Sequence, residues 1–352
     1  MAGPGFRLGL LDVGQDFGST GFGHFDRIHG TYHSKVKLAR PDVRHPHIVL
    51  AGCHALVNGD GDDAGLVPAL RSRGLHARWL SWDDPATLDA DLVILRATWD
   101  YTERVDEFLA WTRRVRNLVN GPAVVAWNTD KRYLADLAAA GVPTVPSAFF
   151  APGEKVRIPA GEVVVKPAIG AGSVGAQRFS DVGKAREHAL ALQVDGHTAL
   201  VQPYDPRIAD GETALVFLGG RPSHAFTKGP LLPPPGELAA LDASGTYAEE
   251  TLRPADPDFE LWDVGHAALA AATTKLGIDV GELLYARVDV IGGLDDPRLL
   301  ELELVEPCLG WRQLDDDTRA TQQRQFALGV ESALDRLGLG PLSHRSGSHR
   351  RP

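Results

Sequence analysis

Val163-Val164-Val165-Lys166-Pro167-Ala168-Ile169-Gly170-Ala171-Gly172-Ser173-Val174-Gly175, running on into Ala176-Gln177-Arg178-Phe179-Ser180, is the stretch on which the fold turns. Val163–Lys166 reads as a strand. Gly170–Gly175 is a literal G-x-G-x-x-G, and Asp195 lies about twenty residues further on, as in a dinucleotide fingerprint. Such a site needs a helix to open at the loop, so that its N-terminus meets a pyrophosphate. Here Ala176–Ser180 reads as a returning strand, and helical spacing begins only near Val182. Lys166-Pro167 also precedes the loop, where a Rossmann turn would be tighter and uncharged. No G-x-x-x-x-G-K-[ST] occurs, so a Walker P-loop is absent. What remains is a flexible hairpin of small residues with a lysine at its base, suited to enclosing a triphosphate. The alternative is a plain glycine-rich turn.

A second hairpin carries charge. Arg287-Val288-Asp289 places Arg287 and Asp289 on one strand face, and Glu301-Leu302-Glu303 does the same on the partner strand. Three carboxylates facing one another on apolar strands would repel, and each buried unpaired charge costs several kcal/mol. A divalent cation would resolve this, and oxygen ligands select a hard ion such as Mg²⁺. Neutralising Asp289 or Glu301 should then abolish turnover and leave the stability of the metal-free protein equal or higher. The alternative is a solvated edge strand.

Working outward, His47–Cys53, Ala77–Trp82, Asp91–Ala97 and Val124–Trp127 read as strands, with helices over Ala64–Gly74 and Val105–Leu118. Strands alternating with helices imply a parallel sheet covered on both faces. Asp130–Ala140 reads as a helix closed by Gly141. Ala199–Pro203, Thr213–Leu218 and Ser223–Lys228 read as strands, Pro230–Pro257 as a mobile loop, and Phe259–Leu276 and Asp316–Leu337 as helices. The expected organisation is a flexible leader (1–46), an α/β domain (47–125), two α+β subdomains (126–203 and 204–340) and a disordered tail (341–352).

Composition narrows the class. A chain of 352 residues holds about two domains at roughly 150 residues each. With 43% hydrophobic residues it has enough for a core, and 36 basic against 46 acidic residues make it a poor general binder of nucleic acid or anionic membrane. Cys53 and Cys308 are too few for a disulfide framework. No apolar run reaches the ~18 residues of a membrane span, and no secretory signal is read, so a cytoplasmic setting is expected. The leader histidines (His24, His29, His33, His45) match no zinc spacing.

Taken together, these residues resemble the ATP-grasp superfamily. Lys131 and Lys166 match its two phosphate lysines, and Gly170, Gly172, Ser173 and Gly175 its flexible loop. Gln202, Pro203 and Tyr204 look like the adenine hinge, with Gln202 and the backbone near Tyr204 reading the base edge. Glu212 follows in an acidic turn. Arg287, Asp289, Glu301 and Glu303 match the R-x-D and E-x-N elements, although Glu303 stands where many members have Asn. Lys228 stands where others have a phosphate-binding Arg. Within the superfamily the chain is similar to the group containing the cyclo-ligase of D-cycloserine biosynthesis, an O-ureido-D-serine cyclo-ligase. The carrying residues are Leu95–Tyr101, Trp127-Asn128, Asp130-Lys131, Tyr133-Leu134 and Glu303–Pro307.

That resemblance implies ATP and Mg²⁺ as cofactors, with Asp289, Glu301 and Glu303 as metal ligands. A carboxylate would become an acyl phosphate, an amine-type nucleophile would attack it, and Arg287 and Lys228 would act in catalysis. The substrate is expected to be small and amino-acid-like. Asp60 and Asp62, with Asp63, would hold its ammonium, or else form an acidic turn and helix cap. Arg96 would hold its carboxylate, or else form a structural ion pair. Thr98, Asp100 and Tyr101 would complete that wall at the carboxyl end of a strand. No nucleic acid or membrane partner is expected, and a homodimer is left open. Rival readings are a ligase joining two molecules and a catalytically silent nucleotide-binding regulator.

Overall fold

The computed structural model describes residues 45–237, 240–241, 243, 247–248 and 250–340. Most of the expected leader and the whole expected tail lie outside the described residues.

The first sheet is built from β1 (His47–Gly52), β2 (His76–Ser81), β3 (Leu92–Ala97) and β4 (Leu118–Val119), all parallel, in the order β2-β1-β3-β4. Its helices are α1 (Leu66–Ser72) and α2 (Val105–Arg114). The strands are apolar throughout because both faces are covered. Val49, Ala51, Val93 and Leu95 pack with Phe108 and Trp111 of α2, whereas Ile48, Leu50, Leu92 and Ile94 enter a second core. Val124–Trp127 is not the fourth strand. It lies in the helix α3 (Pro122–Asn128), which Pro122 opens after Gly121, and Leu118–Val119 fills the sheet position instead. Proline at the first helical position lacks only a donor that has no helical partner. Leu118 therefore belongs to a strand and not to the preceding helix. Lys131 likewise sits in the turn before α4 (Tyr133–Ala139), not on the helix.

The second sheet is antiparallel, β5 (Ala148–Phe150), β6 (Val163–Pro167), β7 (Gln177–Phe179) and β8 (Ala199–Pro203), in the order β5-β8-β6-β7. The helix α5 (Val182–Val194) covers one face, packing on Val163, Val165, Phe179 and Val201. The period of two then sends Val164 and Lys166 of β6, with Gln202 opposite Val164, to the other face.

The third sheet has the order β11-β10-β9-β12-β13, from β9 (Glu212–Leu218), β10 (Arg221–Lys228), β11 (Leu252–Ala255), β12 (Tyr285–Ile291) and β13 (Arg298–Glu303). The expected Pro230–Pro257 loop thus ends in a strand, held by β10. Helix α6 (Phe259–Leu276) covers the face bearing Leu215, Phe217, Ala286, Val288 and Val290. On the opposite face Val216, Phe226 and Tyr285 join Ile48 and Leu50 of the first sheet and Phe326 of α7 (Asp316–Arg336) in one core. No helix among the described residues is long and apolar enough to cross a membrane.

Candidate active site

The cleft lies between the uncovered face of the second sheet and the polar end of the third. Strand register explains its floor. Glu212 of β9 lies opposite Lys228 of β10, and Ala214, two residues on, lies opposite Asp289 of β12. Asp289 in turn faces Glu301 of β13, and Arg287 faces Glu303. All six charged side chains therefore share one face. Glu212, Lys228, Arg287, Glu301 and Glu303 line the cleft, but Asp289 is fully buried beneath it.

Each carboxylate has a cation. Arg287 donates from Nε to Asp289 Oδ1 at 2.8 Å and from Nη2 to Oδ2 at 2.9 Å, and it also pairs with Glu303. Lys228 Nζ lies 2.7 Å from Asp289 Oδ2, 3.0 Å from Glu212 and 3.7 Å from Glu250. Lys131 Nζ pairs with Glu301 at 3.0 Å and donates to the Gly170 carbonyl at 2.6 Å. The expectation that a divalent cation resolves this repulsion is corrected. Arg287, Lys228 and Lys131 offset it, because the register brings cations and anions to the same face. Among the described residues no three His, Cys, Asp or Glu side chains are arranged to hold a metal ion. The donor set still fits a hard divalent ion at two of the three expected ligands, because Glu301 and Glu303 present oxygens to the cleft.

The local fields follow from these pairs. Burial alone would raise the Glu301 carboxyl, but Lys131 and then Lys166 outweigh it and hold the group at about 2. Burial lifts Glu303 to about 7 against Arg287, with Asp289 and Glu301 adding. Burial pushes the Lys166 ammonium down, and Glu301 only partly opposes this. Lys166 has no ion-pair partner within 4 Å among the described residues.

The glycine loop rims the cleft through Gly170, Gly172 and Ser173, whereas Gly175 lies just outside its lining and accepts a hydrogen bond from His188. Gly172 and Ser173 both adopt positive φ, 58° and 62°, the left-handed region that suits glycine and is uncommon elsewhere. Ala248 donates to the Gly172 carbonyl at 3.0 Å, so the following long loop touches the glycine loop. Gln202, Pro203 and Tyr204 line the cleft, and Gln202 donates to Ser147 Oγ at 2.9 Å. The Tyr204 amide is not open to a base edge, because it donates to the Glu162 carbonyl. Its ring carries Arg178 at 3.5 Å, and Arg178 pairs with Glu162.

Most of the expected substrate wall is structural instead. Arg96 is 1% exposed and donates to Asp63 at 2.8 Å and to the Pro307 carbonyl at 2.7 Å. Asp63 also accepts from Trp311 Nε1, and Asp62 from the amides of Trp311 and Arg312. Asp60 accepts from the Asp62 amide, and Asp100 from Trp82 and Arg104. Arg96, Asp60, Asp62, Thr98 and Asp100 do not line the cleft, whereas Tyr101 and Trp99 do. The charges of Arg96 and Asp63 are spent joining the first sheet to the 307–312 segment. Asn128, Glu250 and Glu306 are among the lining residues without a role assigned from the sequence. Asn128 bonds both ways to β13 and the residue after it, donating to the Leu302 carbonyl and accepting from the Leu304 amide. The Glu-x-x-Glu-Pro spacing was the available signal for Glu306.

This fold, with its glycine loop, paired lysines and charged hairpin over one cleft, defines an ATP-grasp carbon–nitrogen ligase of the ADP-forming kind. The model of the D-cycloserine synthetase DcsG N-terminal domain matches residues 48–120. The cycloserine biosynthesis protein DcsG of Streptomyces lavendulae is 38% identical over 270 residues, 71% of this chain and 88% of that protein. The chain belongs to the D-cycloserine synthetase DcsG family. The crystal structure of D-cycloserine synthetase DcsG superposes with a TM-score of 0.71 at 33% identity, covering 83% of this chain and 99% of that one. A D-alanine–D-alanine ligase from Bacillus anthracis complexed with ATP shares the fold at 12% identity, with a TM-score of 0.54 over 86% of this chain and 99% of its own.

Proposed function

We propose that the protein activates the carboxylate of a small amino-acid-like substrate with ATP and Mg²⁺, and that a nitrogen of the same molecule then closes the ring. The observation that carries this reading is the convergence of Lys131, Lys166, Lys228 and Arg287 on one cleft below a glycine loop. Four cations beside a flexible rim suit a migrating phosphoryl group, whose transfer depends on positioning and charge. The similarity to D-cycloserine synthetase supports ring closure over joining. A cytoplasmic setting fits such an enzyme.

In this reading Lys131 and Lys166 hold phosphate oxygens, and Gln202 orients the base. Glu301 and Glu303 hold the Mg²⁺, which when bound offsets phosphate charge. Arg287 faces the developing acyl oxyanion. The glycine loop and the Pro230–Pro257 segment shield the acyl phosphate from water.

Lys166 is the cleanest probe, since it has no ion-pair partner to leave stranded among the described residues. Lys166→Met removes a charge-assisted contact of roughly 1.5–3 kcal/mol. ATP binding measured by calorimetry should weaken about tenfold to a hundredfold, with an unchanged melting temperature. Equal ATP affinity would overturn the assignment. Ring closure is tested separately. One molecule carrying both carboxylate and nucleophile has a high effective concentration of the latter. A single amino acid from a panel of ureido and aminooxy analogues should therefore drive stoichiometric ADP and phosphate release. Turnover that appears only with paired substrates would establish a joining ligase.

A further inference from the structure

Glu306 is a cleft residue that the mechanism above does not use. It follows β13 in Glu303-Leu304-Val305-Glu306-Pro307 and is 8% exposed. Tyr101 lines the cleft beside it, and Trp99 Nε1 donates to its backbone carbonyl at 3.1 Å. Its Oε2 is buried and has no hydrogen-bond partner among the described residues. A buried oxygen without a donor is costly, and such an atom in a cleft calls for a ligand that brings one. The charged and titratable groups that face it are Glu303 from β13, Lys131 from the turn before α4, Arg96 from β3 and Tyr101 from the 3-10 turn after it. Lys131 pairs with Glu301 and donates to the Gly170 carbonyl; Arg96 pairs with Asp63 and donates to the Pro307 carbonyl, and its Nη1, like Thr98 Oγ1, is also buried without a hydrogen-bond partner among the described residues. A substrate N–H in the cleft can supply the donor that Glu306 Oε2 lacks.

We propose that Glu306 is the proton acceptor for the attacking nitrogen. This rests on the acyl phosphate reading above. The nitrogen lone pair forms the C–N bond at the acyl carbon. The bond between that carbon and the bridging oxygen breaks, and phosphate leaves with its electron pair. The proton on nitrogen passes to the Glu306 carboxylate and from there to solvent. Burial, with Glu303 nearby, pushes this carboxyl up to about 8. A base of that strength takes a proton from an acylating nitrogen far better than an ordinary glutamate does, because efficiency peaks when the pKa lies near the working pH.

The test is Glu306→Gln, which keeps the shape and removes the proton acceptor. ADP release is measured with O-ureido-D-serine, ATP and Mg²⁺, then again with hydroxylamine, which attacks an acyl phosphate without a base. The hydroxamate is read by its iron(III) colour. Native kcat should fall by about 10²–10⁴ with KM little changed, while hydroxamate formation continues at the wild-type rate. Wild-type kcat should rise as pH passes the value at which the Glu306 carboxyl ionises, and this limb should vanish in the variant. The variant should melt no lower than wild type above that pH, since an amide has no charge to desolvate. Unchanged native turnover would overturn the proposal. So would a hydroxamate rate that falls by the same factor, which would mean that Glu306 only shapes the cleft. If wild type itself yields no hydroxamate, the acyl phosphate reading fails, and this step fails with it.

Discussion

Asp289→Asn is expected to destabilise the protein by about 3–5 kcal/mol, the usual cost of breaking a buried ion pair by removing one partner. Asp289 is 0% exposed and lies between Arg287 and Lys228, both of them buried. The substitution leaves two cations with one anion fewer. Repulsion among the hairpin carboxylates, taken alone, argues the reverse, a variant as stable as wild type or more so. The register decides between them, because it sets Lys228 and Arg287 within hydrogen-bond distance of Asp289. The pH dependence checks the sign. Arg287 and Lys228 overcome burial and hold the Asp289 carboxyl below its ordinary value of 3.8. Its stabilising contribution is therefore complete above that pH and is lost as pH falls through the lowered value. The gap between variant and wild type should be widest near neutrality and should close in acid. Denaturant unfolding at several pH values measures it. A midpoint at or above wild type at pH 7 would show that the cations do not balance this site.

Arg96→Met should have an effect of similar size, and by the same mechanism. Arg96 holds Asp63 on one side and the Pro307 carbonyl on the other, and its guanidinium lies 4.9 Å from the Tyr285 ring centroid. Removing it strands a buried Asp63 carboxylate, at about 3–5 kcal/mol. Asp63→Asn in the same chain should recover part of the loss, since contacting pairs couple by 0.5–3 kcal/mol. A substrate-binding arginine behaves differently, raising KM with the melting temperature unchanged. Thermal melts beside steady-state kinetics separate the two, and an intact melt with a raised KM would restore Arg96 to the substrate wall.

The fold class was legible because its signals are local. Unbroken apolar runs such as Leu92–Leu95 mark strands buried on both faces, and the strand on each side of Gly170–Gly175 rules out a helix at the loop. The alternation in Arg287-Val288-Asp289 and Glu301-Leu302-Glu303 also put four charged groups on one face before any coordinates were needed. Where local signals conflict, as in Val124–Trp127, β-branched residues suggested a strand, and Pro122 with the packing of Val124 and Val125 made a helix.

The partner of each charge was another matter. Lys228 meets Asp289 across 61 residues of sequence, Arg96 meets Asp63 across 33, and Asp62 meets Trp311 across 249. Composition and spacing cannot tell whether an anion faces a cation, a metal or a substrate, because each satisfies a carboxylate equally well. The sequence by itself determined most of the strands, the glycine loop and the residue types on the last hairpin. Tertiary structure alone decided that Arg96 and Asp63 pair with each other, that Asp289 is balanced from within, and that Glu306 Oε2 has no hydrogen-bond partner among the described residues. The physical reason is that periodicity is set by neighbours along the chain. Charge pairing is set by register and packing between strands that the chain keeps far apart.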